Sequence, residues 1–405
     1  MKLLVCAYDC KPGSEPGVGW NWVQAYLRLG YQVHVITSGR HRGAIMRNAA
    51  ALSPTLVFHH CDVPVWARGW DRSETGWYFY HLMWQWVAYD FARELHGLEK
   101  FDRVHHISPG SLHQPSFMGG LGIPFVFGPV GGGESAPAEL MRGMSLRGRL
   151  ELGFRRFRAA LLNCDPFMRT TFRQAETIAC TTAETMNRIP KAYRSRCIVQ
   201  TASGIDEHQI APAPLYDNAA PNFAFLGKLK YGNGLHLAIE ALAEARRTVP
   251  LAKLRVIGEG PEREWLEQRA RQMGVWSAVE WLGAARPEER LRVLRDSVAL
   301  VSPSMCDGSG KPILEALASA LPVICLDLGV PGSLATPDCA CIVRTDGARE
   351  GDVVKSLATA MILLATNPQL RTRMGASALN RARQLTWDSA AQAVNRVVEP
   401  IRPAA

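Results

Sequence analysis

Short apolar β-runs alternate with helix-length segments along almost the whole chain, and this alternation constrains the fold more than any other feature. A strand–helix–strand rhythm builds a parallel sheet with helices on both faces. The first series opens with Lys2–Tyr8, which ends in the Pro/Gly-rich loop Lys11–Gly17, and continues with a helical segment over Val18–Leu29. Further strands are predicted at Tyr31–Thr37, Leu56–His60, Arg103–Ile107 and Pro124–Phe127. Between them Thr75–His96 is helical and rich in aromatics, including Trp77, Phe79, Tyr80, Trp84 and Trp86. Those rings read as core and rim packing.

A second series follows the Pro/Ala-rich stretch Ile210–Pro221, which reads as a linker. It predicts strands at Asn222–Leu226, Lys253–Gly258, Val279–Leu282, Val298–Ser302 and Pro322–Leu326. Helices are predicted at Leu235–Thr248, Glu262–Met273, Glu288–Ser297, Pro312–Ser319, Asp352–Thr366 and Gln369–Gln384. With 405 residues and roughly 150 per domain, two to three domains are expected, and the two series of elements point to two. The expected units are 1–210 and 211–385, with a last helix at about 386–401 returning to the first. Two facing Rossmann-like αβα domains would leave a cleft at the carboxyl ends of their strands, where ligands bind in such sheets.

Composition narrows the class. Apolar residues make up 47% and charged residues 20%, which excludes a disordered chain. No apolar run reaches the roughly 18 residues that cross a bilayer. Ten cysteines are scattered without a C-x-x-C pair, and no D-x-D occurs, so no metal site is expected. Unpaired thiols at this density suit a reducing cytoplasm. The net charge of +9 is concentrated: Met141–Arg173 holds eight arginines against Glu151 and Asp165. Within it, 146–162 spaces Leu150, Phe154, Phe157 and Leu161 as an amphipathic helix with arginines opposite. Such a helix is either a solvated face or a contact for an anionic membrane surface or a diphosphate-bearing lipid. No nucleic-acid motif accompanies it, so nucleic acid is not an expected partner.

Three loops carry possible chemistry. Gly13–Gly19 runs into a helix N-terminus and includes Glu15, Gly17 and Gly19. Free amides and the helix dipole suit a phosphate there, although the dinucleotide G-x-G-x-x-G pattern is not met. Gly128–Glu134 places Gly131, Gly132 and Gly133 in a row before Glu134, a run whose backbone entropy is costly unless a close approach is needed. Pro303–Ala316 is the richest segment. It sets Asp307 in a loop with Gly308, Ser309, Gly310 and Lys311, and Glu315 eight positions after Asp307 inside the following helix. Loop amides at a helix N-terminus can hold a diphosphate, and a carboxylate one turn further can accept bonds from ribose hydroxyls. His106 ends a predicted strand, facing either the ligand edge or the core.

The last segment resembles the Glu-x7-Glu region of the family 4 retaining glycosyltransferases, which have the GT-B fold. Other motifs follow in order: Ser203-Gly-Ile-Asp206, Phe225-Leu-Gly227-Lys228, Val256-Ile-Gly258-Glu259-Gly260-Pro261, Trp281-Leu-Gly283 and Gly329-Val-Pro-Gly332. The G-S-E-P-G-V-G-W and G-P-V-G-G-G-E loops are similar to those of one subgroup. The resemblance implies metal-independent, hexosyl-type transfer from a nucleoside diphosphate sugar to an acceptor hydroxyl, with retention and no added cofactor. It implies Gly258 and Gly283 near the base, Glu315 on the ribose, and Gly308–Lys311 with Lys228 on the diphosphate. Asp307 would orient the sugar, and Gly17, Gly19 and Asn233 would complete the donor side. Glu15, His106, Gly131–Gly133 and Glu134 would serve the acceptor, a glycan or a lipid-linked one of envelope or exopolysaccharide assembly. That places the chain in the cytoplasm, at the inner membrane face.

Departures from the family pattern are specific. Its first acid is Asp307 here, its arginine is Lys228, its lysine five positions later is Asn233, and its histidine falls at Val130. A lysine cannot make the bidentate fork of an arginine, so Lys230 and Lys311 are the cations available to compensate. Alternatives are a nucleotide-sugar epimerase of the same fold and a catalytically inactive GT-B binding partner.

Overall fold

The structure is a computed structural model that describes residues 1–12, 17–47, 53–70, 74–141, 148–150, 153, 165–211 and 220–398. The chain forms two compact units, one of 1–133, 158–203 and 387–405, the other of 134–157 and 204–386.

The first unit holds a seven-stranded parallel sheet. Its strands are β1 (Lys2–Ala7), β2 (Gln32–Ser38), β3 (Leu56–Cys61), β4 (Arg103–Ser108), β5 (Phe125–Val130), β6 (Thr177–Cys180) and β7 (Cys197–Val199). Their order is β3-β2-β1-β4-β5-β6-β7. The sequence pattern anticipated the first five; β6 and β7, four and three residues long, are too short to show a period. Alternation sorts β1 between two cores. Leu4, Cys6 and Tyr8 pack with Tyr80, Trp84 and Ala88 of the helix Glu74–Glu99. Leu3, Val5 and Ala7 pack with Trp22 and Tyr26 of the helix Val18–Arg28 and with Trp387, Ala391 and Val394 of the last helix, Trp387–Val398. Arg103 Nη1 donates to Asn395 Oδ1 (3.2 Å) and Asn395 Nδ2 to the Tyr31 hydroxyl (3.0 Å), which fixes that helix on the sheet.

The second unit holds six parallel strands: β8 (Asn222–Leu226), β9 (Lys253–Ile257), β10 (Val279–Gly283), β11 (Ala299–Ser302), β12 (Val323–Leu326) and β13 (Ala340–Val343), in the order β10-β9-β8-β11-β12-β13. The four-residue β13 was not expected. The order reverses between β8 and β11, so the crevice beyond their carboxyl ends is a topological switch point.

The unit boundaries differ from 1–210 and 211–385. Residues 134–157 belong with the second unit. Apolar content explains the detour: Ala136 and Leu140 are buried in the cluster of Phe223, Leu229 and Tyr231. The linker residues 212–219 lie outside the described residues, as do most of 146–162.

Candidate functional site

Four loops of the second unit converge at its switch point. After β8 the chain turns at Gly227, whose amide donates to Ile257 O of β9 (3.0 Å), and Leu229 N donates to Glu259 O (3.0 Å). Gly258 takes φ +147°, and a Cβ there would overlap Gly227 O, so the two loops touch through bare backbone. Gly258 N donates to Gly283 O (2.8 Å), tying in β10, where Gly283 takes φ +70° beside the Glu259 carboxylate. From β11, Met305 N donates to Gly232 O (2.8 Å), which closes the set.

Asp307 organises the next loop. Its Oδ1 accepts from Ser309 N (2.7 Å) and Ser309 Oγ (2.9 Å), and its Oδ2 from Gly310 N (3.3 Å). Its own carbonyl accepts from Val330 N (3.0 Å). The carboxylate thus braces the loop leading into the helix Lys311–Ala318, and the bonds engage two of the amides expected to face a diphosphate.

Glu315 lies on that helix, and Arg290, from the helix Pro287–Arg295, reaches its Oε1 with Nη2 at 3.1 Å. Lys311 Nζ is 4.0 Å from the same oxygen. The side chains of Glu315 and Arg290 are 24% and 16% exposed, so the pair is only partly screened. Sequence reasoning missed Arg290, which is 25 residues from Glu315 and meets it only through the fold.

Lys228 and Lys230 are exposed. Asn233, where the family pattern has a lysine, donates through Nδ2 to Lys228 O (2.7 Å) and so closes the turn that carries Lys228. Glu134 is buried, and its carboxylate lies 3.8–3.9 Å from where a Cβ on Gly308 would sit. The structure therefore brings Gly227, Lys228, Asn233, Gly258, Gly283, Glu134 and Asp307–Glu315 into one unit. Among the described residues no group of three His, Cys, Asp or Glu could hold a metal ion.

The other expected residues lie in the first unit. Gly17, at φ +68°, starts the helix Val18–Arg28. Gly19 packs so tightly on Asp9 that a Cβ would overlap the Asp9 carbonyl. Gly131 N donates to Gly110 O (3.1 Å), Gly132 takes φ +103°, and Gly133 N donates to the Thr185 hydroxyl (3.2 Å). Glu15 lies outside the described residues. His106 does not face a ligand edge: it is fully buried, packs on Phe127, and its Nε2 bonds Pro109 O (3.2 Å). Burial lowers its pKa to about 4, which makes it a neutral core histidine. His105, on the opposite face, is pulled down to about 3 by burial; it accepts from the Tyr26 hydroxyl (2.7 Å) and contacts Gly128 O (2.6 Å).

Comparison with known proteins identifies the architecture first. The structure is similar over 98% of its length to 99% of Anabaena Alr3699/HepE in complex with UDP-glucose, with a TM-score of 0.61 at 13% identity. Two parallel-sheet units of this kind define the GT-B fold. Residues 208–381 match the family described as glycosyl transferases group 1. A glycogen synthase of Mycobacterium tuberculosis (strain ATCC 25618 / H37Rv) is 36% identical over 105 residues, 26% of this chain and 25% of that one. A D-inositol 3-phosphate glycosyltransferase of Corynebacterium aurimucosum is 27% identical over 181 residues, 43% of this chain and 42% of that one. The chain thus spans a quarter to less than half of the length of these curated relatives.

Proposed function

We propose that the chain is a glycosyltransferase that moves a hexosyl group from a nucleoside diphosphate sugar to an acceptor hydroxyl, with retention at the anomeric carbon. The observation that carries this reading is the convergence of Gly227, Gly258, Asp307–Lys311 and Glu315 at one switch point, within the matched segment 208–381. Glu315 would accept from the ribose hydroxyls, held in place by Arg290. Gly258 and Gly283 would leave room for the base. The N-terminus of Lys311–Ala318, with Lys228 and Lys311, would meet the diphosphate, and stabilising charge on that leaving group would supply most of the rate. Asp307 would shape the loop and turn toward the sugar hydroxyls. No metal or cofactor is assigned.

The acceptor would be met by Gly131–Gly133 and Glu134. A lipid-linked acceptor at the inner face of a membrane suits the arginines of 146–162. The deciding experiment is calorimetric titration with UDP, GDP, ADP and dTDP in turn. Selective binding of one is expected, and its sugar derivatives should then turn over with an acceptor. Binding of none would overturn the donor-site assignment.

A further inference from the structure

The solvent face of the helix Glu74–Glu99 breaks the rule for a surface helix. That face should be polar. Its second half is, with Asp90, Arg93 and Glu94, but its first half presents Phe79 and Trp86, with Leu82 half-buried between them. Phe79 is 50% and Trp86 60% exposed. The stripe continues onto a second element, because Phe117 packs edge-on to Trp86 (5.7 Å) and Phe167 edge-on to Phe117 (5.8 Å). Phe167 is 41% exposed. A contiguous apolar surface of this size marks an interaction site.

Charge at its margin indicates what covers it. Phe167 belongs to the helix Pro166–Gln174, which also exposes Arg169 and Arg173. Of the acids around it, Asp165 accepts from the Tyr78 hydroxyl (3.0 Å), from Phe167 N (2.8 Å) and from Met168 N (3.1 Å), and Asp90 pairs with Arg93 (3.5 Å). The stripe lies along a helix surface, and its rings point outward. A partner that offers hydrocarbon beneath a layer of negative charge satisfies both parts, and aromatic rings favour that boundary.

We propose that Phe79, Trp86, Phe117 and Phe167 form a docking face for an anionic bilayer surface, with Arg169 and Arg173 on the lipid phosphates. This face is separate from the donor site, so its test stands whether or not a nucleotide binds. Among the described residues no helix is long and apolar enough to cross a membrane, so contact through this face would be peripheral.

The test is co-sedimentation of the full chain with vesicles of phosphatidylcholine, alone or mixed with phosphatidylglycerol. Binding to the mixed vesicles alone is expected, and Trp86→Ser and Phe79→Ser should each lower it roughly tenfold. Leu98→Ser, at an exposed leucine on the far end of the same helix, should leave it unchanged. Thermal midpoints of all three variants should match the parent, since the side chains are exposed. Equal binding to both vesicle types, no binding to either, or an undiminished Trp86→Ser variant would overturn the proposal. So would a dimer in light scattering that Trp86→Ser dissociates, which would assign the face to a second copy of the chain.

Discussion

Arg290 Nη2 stands 3.1 Å from Glu315 Oε1, so the carboxylate proposed to receive a ribose is matched to a cation from the helix Pro287–Arg295. The pairing holds Glu315 in place beside a guanidinium. Glu315→Gln keeps the shape but removes the charge. It should weaken nucleotide binding by about 1.5–3 kcal/mol, roughly ten- to a hundred-fold, in calorimetric titration. Arg290→Gln should weaken it less, because the carboxylate stays but loses its brace. Unchanged affinity in both variants would remove Glu315 from the donor site.

Asp307 holds three bonds within its own loop. Asp307→Ala therefore removes the loop's internal hydrogen bonds, and stability should fall by about 1 kcal/mol in urea unfolding. Transfer activity should fall further than stability explains, because the loop amides lose their alignment. An active, equally stable variant would show that the loop needs no such anchor.

Gly258 and Gly274 both take positive φ, +147° and +70°, but only Gly258 faces an obstruction, the Gly227 carbonyl. Gly274→Ala should cost about 1–2 kcal/mol, from backbone strain alone. Gly258→Ala should cost at least about 2 kcal/mol and also disturb nucleotide binding, since the Gly227 loop must move. Comparable unfolding midpoints for the two would mean that the loops do not press together.

Three buried histidines make stability depend on pH. Burial takes His105 to about 3, His106 to about 4 and His236 to about 4. Unfolded histidines titrate near 6.5 and so bind more protons than the folded state between that value and about 4. Stability should therefore fall as pH drops through this window, by up to about 1.4 kcal/mol per unit for each histidine. Urea midpoints at pH 7, 6 and 5 would check this. His236→Leu should flatten the slope, and a slope unaltered by it would contradict the assignment.

Most of the architecture was legible because fully buried parallel strands leave unbroken apolar runs, as at Leu3–Ala7 and Phe125–Phe127. The glycine loops were legible for a similar reason: a close backbone approach such as that of Gly258 to Gly227 tolerates no side chain. What stayed hidden depends on partners distant in sequence. His106 could not be told from a ligand-facing histidine until β4 was seen against Phe127. Arg290 was one arginine among many until the sheet brought its helix to Glu315. Ala136 and Leu140 look like loop residues, and only their burial beside Phe223 assigns them to the second unit.

The position of the last helix has a consequence for synthesis. Trp387, Ala391 and Val394 fill the core under β1, which precedes them by the whole second unit. That core stays incomplete until Trp387–Val398 is made, whereas 204–386 are all available earlier. A stop codon just before Trp387 would therefore leave an intact second unit attached to a first unit with Leu3, Val5 and Trp22 uncovered. Quality control in the cell would recognise such a product by its beginning, although the lesion lies at its end.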